Sequence, residues 1–288
     1  MVINDIISKG MALIEGREYS NPRLESILVL SQLLNVDKSY IYIHGDKEID
    51  NNIENKYFAI MKKRASGYPL QYIFNQVDFM GLSFYVEEGV LIPRPDTEIM
   101  VEFIIDNIDK NKELNILDIG VGSGAISLSI AKLCPKTQVF GVDIEDAPIR
   151  ISNINKEFLK VENAYFYQGD LFEALEKNNI DEKFHIIVSN PPYIKTNEIE
   201  GLQIEVKCYE PLVALDGGID GLEFYRKISK EALNYLLPDG MLIYEIGYDE
   251  GAQVMGIMNS EGFKNISILN DYQGHDRVVY GFKKYRSL

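Results

Sequence analysis

From about residue 97 onward, short apolar segments alternate with segments that have helical periodicity. Helices that connect successive strands as crossovers make those strands parallel. Five such alternations followed by a closing pair of strands therefore predict an α/β fold with a doubly wound, mostly parallel sheet of seven strands. The expected strands are 115–119, 138–142, 164–168, 185–189, 240–246, 264–269 and 278–282. The first helix of this region is expected over 97–109, with Asp96 as its cap.

The segment before this region has a different pattern. Within residues 1–75, apolar residues recur at helical spacing, and Asn21-Pro22 has the form of a helix cap followed by proline in the first turn. A shorter helix is expected to begin near Asp37, so we predict a small helical bundle. Glycines and prolines interrupt 76–96 around one strand-like run, which is typical of a hairpin connector. The predicted domains are thus 1–75, 76–96 and 97–288.

The charge of the chain is unevenly distributed. The 288 residues carry a net charge of −15. Residues 1–75 hold 9 basic and 9 acidic residues, so the whole excess of acid lies in 76–288. The negative electrostatic field of residues 76–288 repels duplex DNA and bulk RNA at long range, which argues against direct binding of nucleic acid.

Cysteines and apolar stretches limit the cellular setting. Only Cys134 and Cys208 occur, without a Cys-x-x-Cys pair, which argues against a disulfide scaffold and a structural zinc site. The sequence has no apolar run of about 18 residues and no basic region before an apolar start, so neither a transmembrane helix nor a signal peptide is expected. We therefore expect a cytoplasmic protein without a membrane partner.

A glycine-rich turn follows the first predicted strand of the sheet. The sequence there is Asp118-Ile119-Gly120-Val121-Gly122-Ser123-Gly124, and an amphipathic helix comes next. Glycines at alternate positions let the backbone approach a ligand where a Cβ atom would block it. No Gly-Lys-Ser/Thr sequence follows, so a phosphate-binding P-loop is disfavoured. The alternative is a tight strand-to-helix turn without a ligand.

Acidic residues follow the next two predicted strands. Asp143 lies 21 residues beyond Gly122, and its carboxylate can accept hydrogen bonds from both hydroxyls of a ribose. Asp170 can accept from an adenine amino group, and the N–H of Leu171 can donate to a ring nitrogen. Each aspartate alone is more often a helix cap. Because all three loops lie at successive carboxyl ends of parallel strands, they predict a nucleoside site.

The segment Asn190-Pro191-Pro192-Tyr193 follows the fourth apolar strand. Two prolines stiffen this loop and remove two backbone donors. The side-chain carbonyl of Asn190 and the backbone carbonyl of Pro191 can then face one target, and this pair of acceptors matches the two hydrogens of an amide or arylamine NH2 group. The Tyr193 ring can form a flat apolar wall and can lie near a cationic methylsulfonium. The alternative is a rigid exposed turn.

These motifs, in this order, resemble those of S-adenosylmethionine-dependent methyltransferases that act on planar NH2 groups. More closely, the chain resembles the peptide chain release factor glutamine methyltransferases over nearly all of 20–284. The closer match lies in 67–73, 91–98, 209–211, 214–222, 245–247 and 274–278. Two departures are Asn75, where the family tends to have glycine, and the segment 247–250, which lacks an expected glutamine.

The resemblance implies a Rossmann-like methyltransferase sheet and a methyl transfer from S-adenosylmethionine to the side-chain amide nitrogen of the glutamine in the Gly-Gly-Gln loop of release factors. The product is S-adenosylhomocysteine, no metal is implied, and the N-terminal bundle is expected to recognise the release factor. Asn190, Pro191 and Tyr193 are the expected catalytic residues and, with Pro192, the substrate-binding loop. The expected cofactor-binding residues are Asp118, Gly120, Val121, Gly122, Ser123, Gly124, Asp143, Ile144, Asp170, Leu171 and Asn190.

Three other functions are compatible with parts of this pattern. A sister enzyme that methylates a glutamine of a ribosomal protein is poorly separated by sequence alone. A nucleic-acid amine methyltransferase uses the same Asn-Pro-Pro-Tyr loop after base flipping, but the acidic charge of 76–288 disfavours it. A non-catalytic cofactor-binding module has no need of paired acceptors in that loop.

Overall fold

The computed structural model describes residues 1–17 and 20–284, which form two compact units. The first unit comprises Met1–Phe74 and the later segment Gln203–Tyr209. The second comprises Asn75–Leu202 and the chain from Glu210 onward. None of the helices in the described residues is long and apolar enough to span a membrane.

The first unit is helical, as predicted for the N-terminal region. Its first five helices are α1 (Ile3–Ile14), α2 (Pro22–Leu34), α3 (Lys38–Ile43), α4 (Asn51–Ala65) and α5 (Leu70–Phe74). Asn21 caps α2 by accepting a hydrogen bond from the Leu24 N–H at 3.1 Å, and Asp37 caps α3 in the same way. The core consists of isoleucines of α1 that pack with apolar residues of α2 and with Tyr57 of α4.

A seven-stranded sheet forms the centre of the second unit. Its strands are β3 (Asn115–Ile119), β4 (Gln138–Asp143), β5 (Ala164–Gln168), β6 (Phe184–Ser189), β7 (Leu236–Glu245), β8 (Lys264–Asn270) and β9 (Asp276–Phe282), and a separate hairpin of β1 (Val77–Phe79) and β2 (Leu82–Phe84) precedes them. The described strands of the sheet follow the order β5-β4-β3-β6-β7-β9-β8. Pairs from β5 to β7 are parallel, and β9 pairs antiparallel with β7 and β8. The predicted doubly wound, mostly parallel sheet is confirmed.

The remaining helices are α6 (Pro95–Asn107), α7 (Ala125–Leu133), α8 (Asp146–Leu159), α9 (Glu173–Lys177), α10 (Ile204–Tyr209), α11 (Glu223–Tyr235) and α12 (Gly251–Glu261). Helix α6 begins at Pro95, so Asp96 lies in its first turn and the prediction that Asp96 caps the helix is wrong. Proline suits the first helical position because its φ is already helical and an N–H group there has no partner within the helix.

Helix α10 is part of the first unit. Its residue Glu205 forms ion pairs with the N-terminal helical region. Arg64 Nη1 and Arg17 Nη2 each lie 2.9 Å from Glu205 Oε1, and Arg64 Nε lies 2.6 Å from Glu25 Oε2. Arg64 is itself buried. Because removal of one member of a buried ion pair leaves an uncompensated charge, at a cost of about 3–5 kcal/mol, α10 is an integral part of this unit.

The chain reverses its direction across the sheet at β3. From β3 it moves outward to β4 and β5, and then returns to the other side of β3 to form β6. Ile119 is level with Ser189 in the register of β3 and β6, and Ser189 Oγ donates to the Ile119 carbonyl at 2.7 Å. The loops after β3 and β6 therefore leave the sheet side by side, which is where such sheets bind ligands.

Candidate active site

A cavity of about 190 Å³ lies at this carboxyl edge of the sheet, within the second unit. The predicted site residues that line it are Gly120, Val121, Gly122, Ser123, Asp143, Ile144, Asp170, Leu171, Asn190, Pro191 and Pro192. The structure thus brings the three predicted nucleoside loops and the Asn-Pro-Pro segment together around one space. The predicted residues outside this lining, all of them described, are Asp118, Gly124 and Tyr193.

The glycine turn after β3 has an open backbone. Gly120 and Gly122 have φ values of 82° and 54°, a left-handed conformation that disfavours residues with a Cβ atom. The N–H groups of Gly120 and Val121 donate to the Val142 carbonyl at 2.9 and 3.1 Å, which fixes the turn against β4. A Cβ atom placed on Gly122 would meet nothing within 4 Å. The turn is therefore a cradle in which a ligand can contact the backbone directly.

Asp143 ends β4 beside this cradle. Its Oδ2 accepts from the Gly122 N–H at 3.0 Å and its Oδ1 from the Glu145 N–H at 3.2 Å. Burial raises the pKa of Asp143, and these hydrogen bonds oppose the rise because they stabilise the carboxylate. Each oxygen keeps acceptor capacity for a donor in the cavity, so the residue fits a vicinal diol. Ile144 adds a half-exposed apolar side chain to the same wall.

The loop after β5 is tied to the loop after β4, because the Gly169 N–H donates to the Asp143 carbonyl at 2.9 Å. Phe172, at the far end of this loop, is buried and stacks on Tyr235 with ring centroids 4.5 Å apart. These two attachments hold the exposed Asp170 and the Leu171 backbone at the cavity wall. The sequence predicts contacts with an adenine at this position.

Asp118 precedes the glycine turn on β3 and is fully buried. Its Oδ2 accepts from Ser127 Oγ at 2.5 Å, whereas its Oδ1 has no hydrogen-bond partner among the described residues. Burial raises the pKa of Asp118 to about 7, although hydrogen bonds from Ser127 act in the opposite direction. The predicted influence of Asp118 on the ammonium group of a cofactor therefore needs an intermediary, such as the loop or a water molecule, and stays a prediction.

We expect Asp118→Asn to change how stability depends on pH. The folded pKa of about 7 lies above the usual 3.8, so the folded state holds a proton that the unfolded state has released between these values. Above pH 7 the ionised carboxyl therefore lowers the free energy of unfolding of the wild type, by at most about 4 kcal/mol. This destabilisation disappears as the pH falls toward 4. The asparagine variant lacks this change.

Urea unfolding at pH 8 and pH 5.5 measures the effect. The stability of Asp118→Asn relative to wild type should be greater at pH 8 than at pH 5.5. Asp106→Asn, an exposed site on α6, should show no such change. A stability difference for Asp118→Asn that is equal at both pH values would contradict the assignment.

The Asn-Pro-Pro-Tyr loop is fastened by the segment 214–222. Backbone hydrogen bonds run from the Ile194 N–H to the Leu215 carbonyl at 3.0 Å and from the Gly217 N–H to the Ile194 carbonyl at 2.8 Å. A Cβ atom on Gly217 would lie 2.7 Å from Tyr193 Cα and 2.8 Å from the Pro192 carbonyl oxygen. Glycine is required here because the two backbones touch. The sequence signal for this role is the pair Gly217-Gly218, which the resemblance covers without giving it a function.

Tyr193 packs against the hydrophobic core rather than lining the cavity. Burial is the main cause that raises the pKa of its hydroxyl well above 10, and the negative charge of Glu245 adds to the rise. Its backbone holds Pro192 in position through the contact with Gly217. The expected role of the ring as a wall beside an NH2 group stays a prediction.

Asn190 has two polar neighbours, in the segments 91–98 and 245–247, which carry the resemblance but to which the sequence assigned no role. Its Nδ2 donates to Thr97 Oγ1, at 3.4 Å, near the start of α6. Glu245, the last residue of β7, is buried, and the side chains of Asn190 and Thr97 act on it as donors that lower its pKa. A charged residue at the end of an apolar strand is the sequence signal that could have identified Glu245.

Arg94 lies on the cavity wall and forms an ion pair with Glu210, with Arg94 Nη2 and Glu210 Oε1 2.5 Å apart. Glu210 Oε2 also accepts from the Ile92 N–H at 3.3 Å. Glu210 is buried, and it holds the segment before α6 in place. Apolar side chains complete the wall, among them Phe79, Val213, Phe224 and Ile228.

Two family models match the chain. One, described as "Methyltransferase small domain", matches residues 94–206. The other, described as "PrmC N-terminal domain", matches residues 5–74. Their positions correspond to the region of the sheet that carries the cavity and to the helical N-terminal region.

Curated relatives match along nearly the whole chain. A release factor glutamine methyltransferase of Clostridium acetobutylicum is 41% identical over 281 residues, which are 97% of this chain and 98% of that protein. A release factor glutamine methyltransferase of Fusobacterium nucleatum is 42% identical over 284 residues, or 98% of this chain and 79% of that protein.

Solved structures with low sequence identity share the fold. A methyltransferase from Pyrococcus furiosus has a TM-score of 0.52 and 17% identity, with 80% of this chain and 98% of that chain covered. The Thermus thermophilus 16S rRNA N2 G1207 methyltransferase, solved in complex with AdoMet and guanosine, has a TM-score of 0.53 and 18% identity over 73% of this chain and 50% of that one. These likenesses confirm the Rossmann-like methyltransferase fold.

Proposed function

Because the chain belongs to the family of release factor glutamine methyltransferases, we propose that the cavity at the carboxyl edge of its sheet is where cofactor and substrate glutamine meet. The protein transfers a methyl group from S-adenosylmethionine to the side-chain amide nitrogen of the glutamine in the Gly-Gly-Gln loop of peptide chain release factors. The observation that supports this location is the convergence of the glycine turn, Asp143 and Asn190 on one cavity.

The cofactor residues fit S-adenosylmethionine. The turn from Gly120 to Gly124 holds the methionine part and the ribose, Asp143 accepts from the ribose hydroxyls, and Asp170 and Leu171 hold the adenine. The open backbone at Gly122 and the remaining acceptor capacity of Asp143 support these roles. The bound cofactor supplies an electrophilic methyl group on a sulfonium that leaves as a neutral thioether.

The loop after β6 acts on the substrate. An amide nitrogen is a weak nucleophile because its lone pair is delocalised into the carbonyl. Asn190 Oδ1 and the Pro191 carbonyl each accept one N–H of the glutamine, which raises electron density on nitrogen and fixes its direction. The same oxygens stabilise the positive charge that develops on nitrogen. Orientation of this kind can contribute up to about 7–11 kcal/mol, so no strong base is needed. The methylated nitrogen is strongly acidic, and it releases one proton to water to give the neutral N-methylamide.

The helical N-terminal unit recognises the release factor, since a protein substrate offers contacts beyond one side chain. The match of this region to a separate N-terminal family model supports the division of roles. Nucleic acid is not a direct partner, because the acid excess in 76–288 repels it. The free state of Cys134 and Cys208 suits the cytoplasm, where we place the protein.

We expect Asp143→Ala to weaken the binding of S-adenosylmethionine. The variant removes a partly buried carboxylate that accepts from Gly122 and from the ribose, and a hydrogen bond to a charged group contributes about 1–3 kcal/mol. Calorimetric titration with the cofactor measures the loss. Asp146→Ala, an equal charge change at an exposed position outside the cavity lining, is the matched control and should bind as wild type does. An unchanged affinity of Asp143→Ala would overturn the ribose assignment.

One assay distinguishes the substrates that this loop chemistry allows. Tritiated S-adenosylmethionine is offered with purified release factor, with its Gly-Gly-Gln loop variant carrying Gln→Ala, with ribosomal protein, and with DNA. We expect label only in the wild-type release factor. Label in ribosomal protein or DNA, with none in the release factor, would overturn the proposal.

A further inference from the structure

Glu245 and Asn190 are neighbours at the carboxyl edge of the sheet. Ser189 of β6 is level with Tyr244 of β7, so Asn190, which follows β6, lies beside Glu245, the last residue of β7. Glu245 is 1% exposed, and its Oε2 has no hydrogen-bond partner among the described residues. A fully buried carboxylate with an unpartnered oxygen thus adjoins the loop that faces the substrate.

Among the described residues, no ion pair explains the buried carboxylate of Glu245. Arg277 is close enough for its charge to act on Glu245, but its ion pairs are with Asp271, at 3.2 Å, and Asp96, at 3.4 Å. Tyr225 donates to the backbone carbonyl of Glu245, at 3.0 Å, and not to its carboxylate. Because burial of a carboxylate without an ion pair is costly, the arrangement points to a role in the adjacent site.

The hydrogen bonds around Asn190 fix the sense of its carboxamide. The Nδ2 group has two hydrogens: one is donated to Thr97 Oγ1, and the other is available to the neighbouring Glu245 carboxylate, whose pKa the Asn190 side chain lowers as a donor does. The Thr97 hydroxyl also lowers the pKa of Glu245 as a donor does, which leaves its oxygen lone pairs for the Asn190 N–H. With both N–H groups used inside the protein, Oδ1 is the atom left for the cavity. A flipped carboxamide would place Oδ1 against a negative charge.

We propose that Glu245 is a positioning residue, which holds the Asn190 carboxamide with its oxygen toward the substrate NH2 group and its hydrogens toward the protein. This inference rests on the proposed role of Asn190 as an acceptor. The negative charge of Glu245 also polarises the carboxamide, so Oδ1 becomes a stronger acceptor for the glutamine N–H. Without that charge, Asn190 can present N–H groups to the substrate N–H groups, which is unproductive.

The arrangement predicts a dependence on pH. Burial raises the pKa of Glu245 to about 6, against the opposing effects of the hydrogen bonds and of Arg277. A protonated Glu245 can donate to Asn190 Oδ1 and so stabilise the flipped carboxamide. The groups that act on Glu245 from the surrounding elements are Arg277 of β9, Asp96 of α6, Tyr193 of the loop and Tyr225 of α11. The pKa values of Arg277 and of both tyrosines are raised, so these three groups keep their charge state between pH 6 and 8.

The test is Glu245→Gln, which keeps the shape of the side chain and removes its charge. Methyl transfer from tritiated S-adenosylmethionine to the release factor is measured from pH 5 to pH 8.5. Wild-type kcat should fall below about pH 6. The variant should lose about 10–100-fold in kcat at pH 8, the scale measured for outer partners that orient metal ligands, and should lack the fall near pH 6. The KM for release factor and the Kd for cofactor should change less than about threefold.

Glu250→Gln is the matched control, because it neutralises another poorly solvated carboxylate whose contacts are the Gly247 N–H and the Tyr225 hydroxyl. This control should keep the fall near pH 6. Thr97→Val, which removes the other acceptor, should lower kcat without changing cofactor affinity. Unchanged kcat in Glu245→Gln, a persistent fall near pH 6, or equal losses in kcat, cofactor affinity and melting temperature would overturn the positioning role. If wild type itself transfers no methyl group to the glutamine, the proposed function fails instead.

Discussion

Asn190→Ala should lower the turnover of methyl transfer by about 10²–10³-fold, the loss seen when one group that stabilises charge in the transition state is removed. The substitution deletes one of the two acceptors for the glutamine NH2 group and leaves the nucleoside loops intact. Cofactor affinity should therefore change little, because the charged and backbone contacts around Asp143 and Gly122 remain. Single-turnover transfer and calorimetric titration with S-adenosylmethionine measure the two quantities separately.

Asn153→Ala provides the control for Asn190→Ala. Asn153 is exposed on α8, and its Nδ2 donates to the Ile149 carbonyl of the same helix. Its replacement should leave turnover and affinity within about twofold of wild type, since surface changes away from special features usually alter stability by less than 0.5 kcal/mol. Equal losses of turnover and cofactor affinity in Asn190→Ala would show that Asn190 serves cofactor binding rather than the reacting amide.

Gly217→Ala should have the second largest effect. The added Cβ atom would lie 2.7 Å from Tyr193 Cα and 2.8 Å from the carbonyl oxygens of Pro192 and Gly221, all of them backbone atoms that cannot rotate away. The Asn-Pro-Pro-Tyr loop must therefore move. A displacement of about 1 Å at a reacting group can cost 10²-fold in rate, and overpacking costs about 1–3 kcal/mol in stability.

The comparison for Gly217→Ala is Gly201→Ala, where a Cβ atom would meet nothing within 4 Å. Methyl transfer at saturating cofactor and urea unfolding are measured for both variants. Gly217→Ala should lose activity and stability, whereas Gly201→Ala should keep both. If Gly217→Ala kept full activity, the segment 214–222 would not be what fixes the loop.

The elements that carry the site were predictable because strand ends leave a local signal. An apolar run followed by glycine, aspartate or Asn-Pro-Pro is contained in a few residues, and in a parallel sheet such ends meet at one edge. This is why the residues from Gly120 to Gly122, Asp143, Asp170 and Asn190 line one cavity as expected. The start of α6 was placed two residues late because the capping aspartate was given more weight than Pro95.

The surroundings of those residues were not predictable, because they depend on contacts between distant segments. Asn190 and Thr97 are 93 positions apart, and only the pairing of β6 with β7 places Glu245 beside them. The sequence also does not show that Asp118 is fully buried, so that its side chain lies behind the glycine turn and does not line the cavity. A local pattern identifies the residue type at a strand end but contains no information on which side chain will face it.

The position of α10 limits how a chain of this kind can be recombined. Glu205 pairs with Arg17 and Arg64, although it is encoded far downstream of both. A chimera joined after Phe74 would combine the helices of one parent with α10 of the other, and any mismatch would leave the partly buried Arg17 without its carboxylate and Arg64 with that of Glu25 alone. The helical unit is therefore not an interchangeable module. A transplanted unit must include both Met1–Phe74 and Gln203–Tyr209. Otherwise substrate preference can change only by point substitutions within the intact unit.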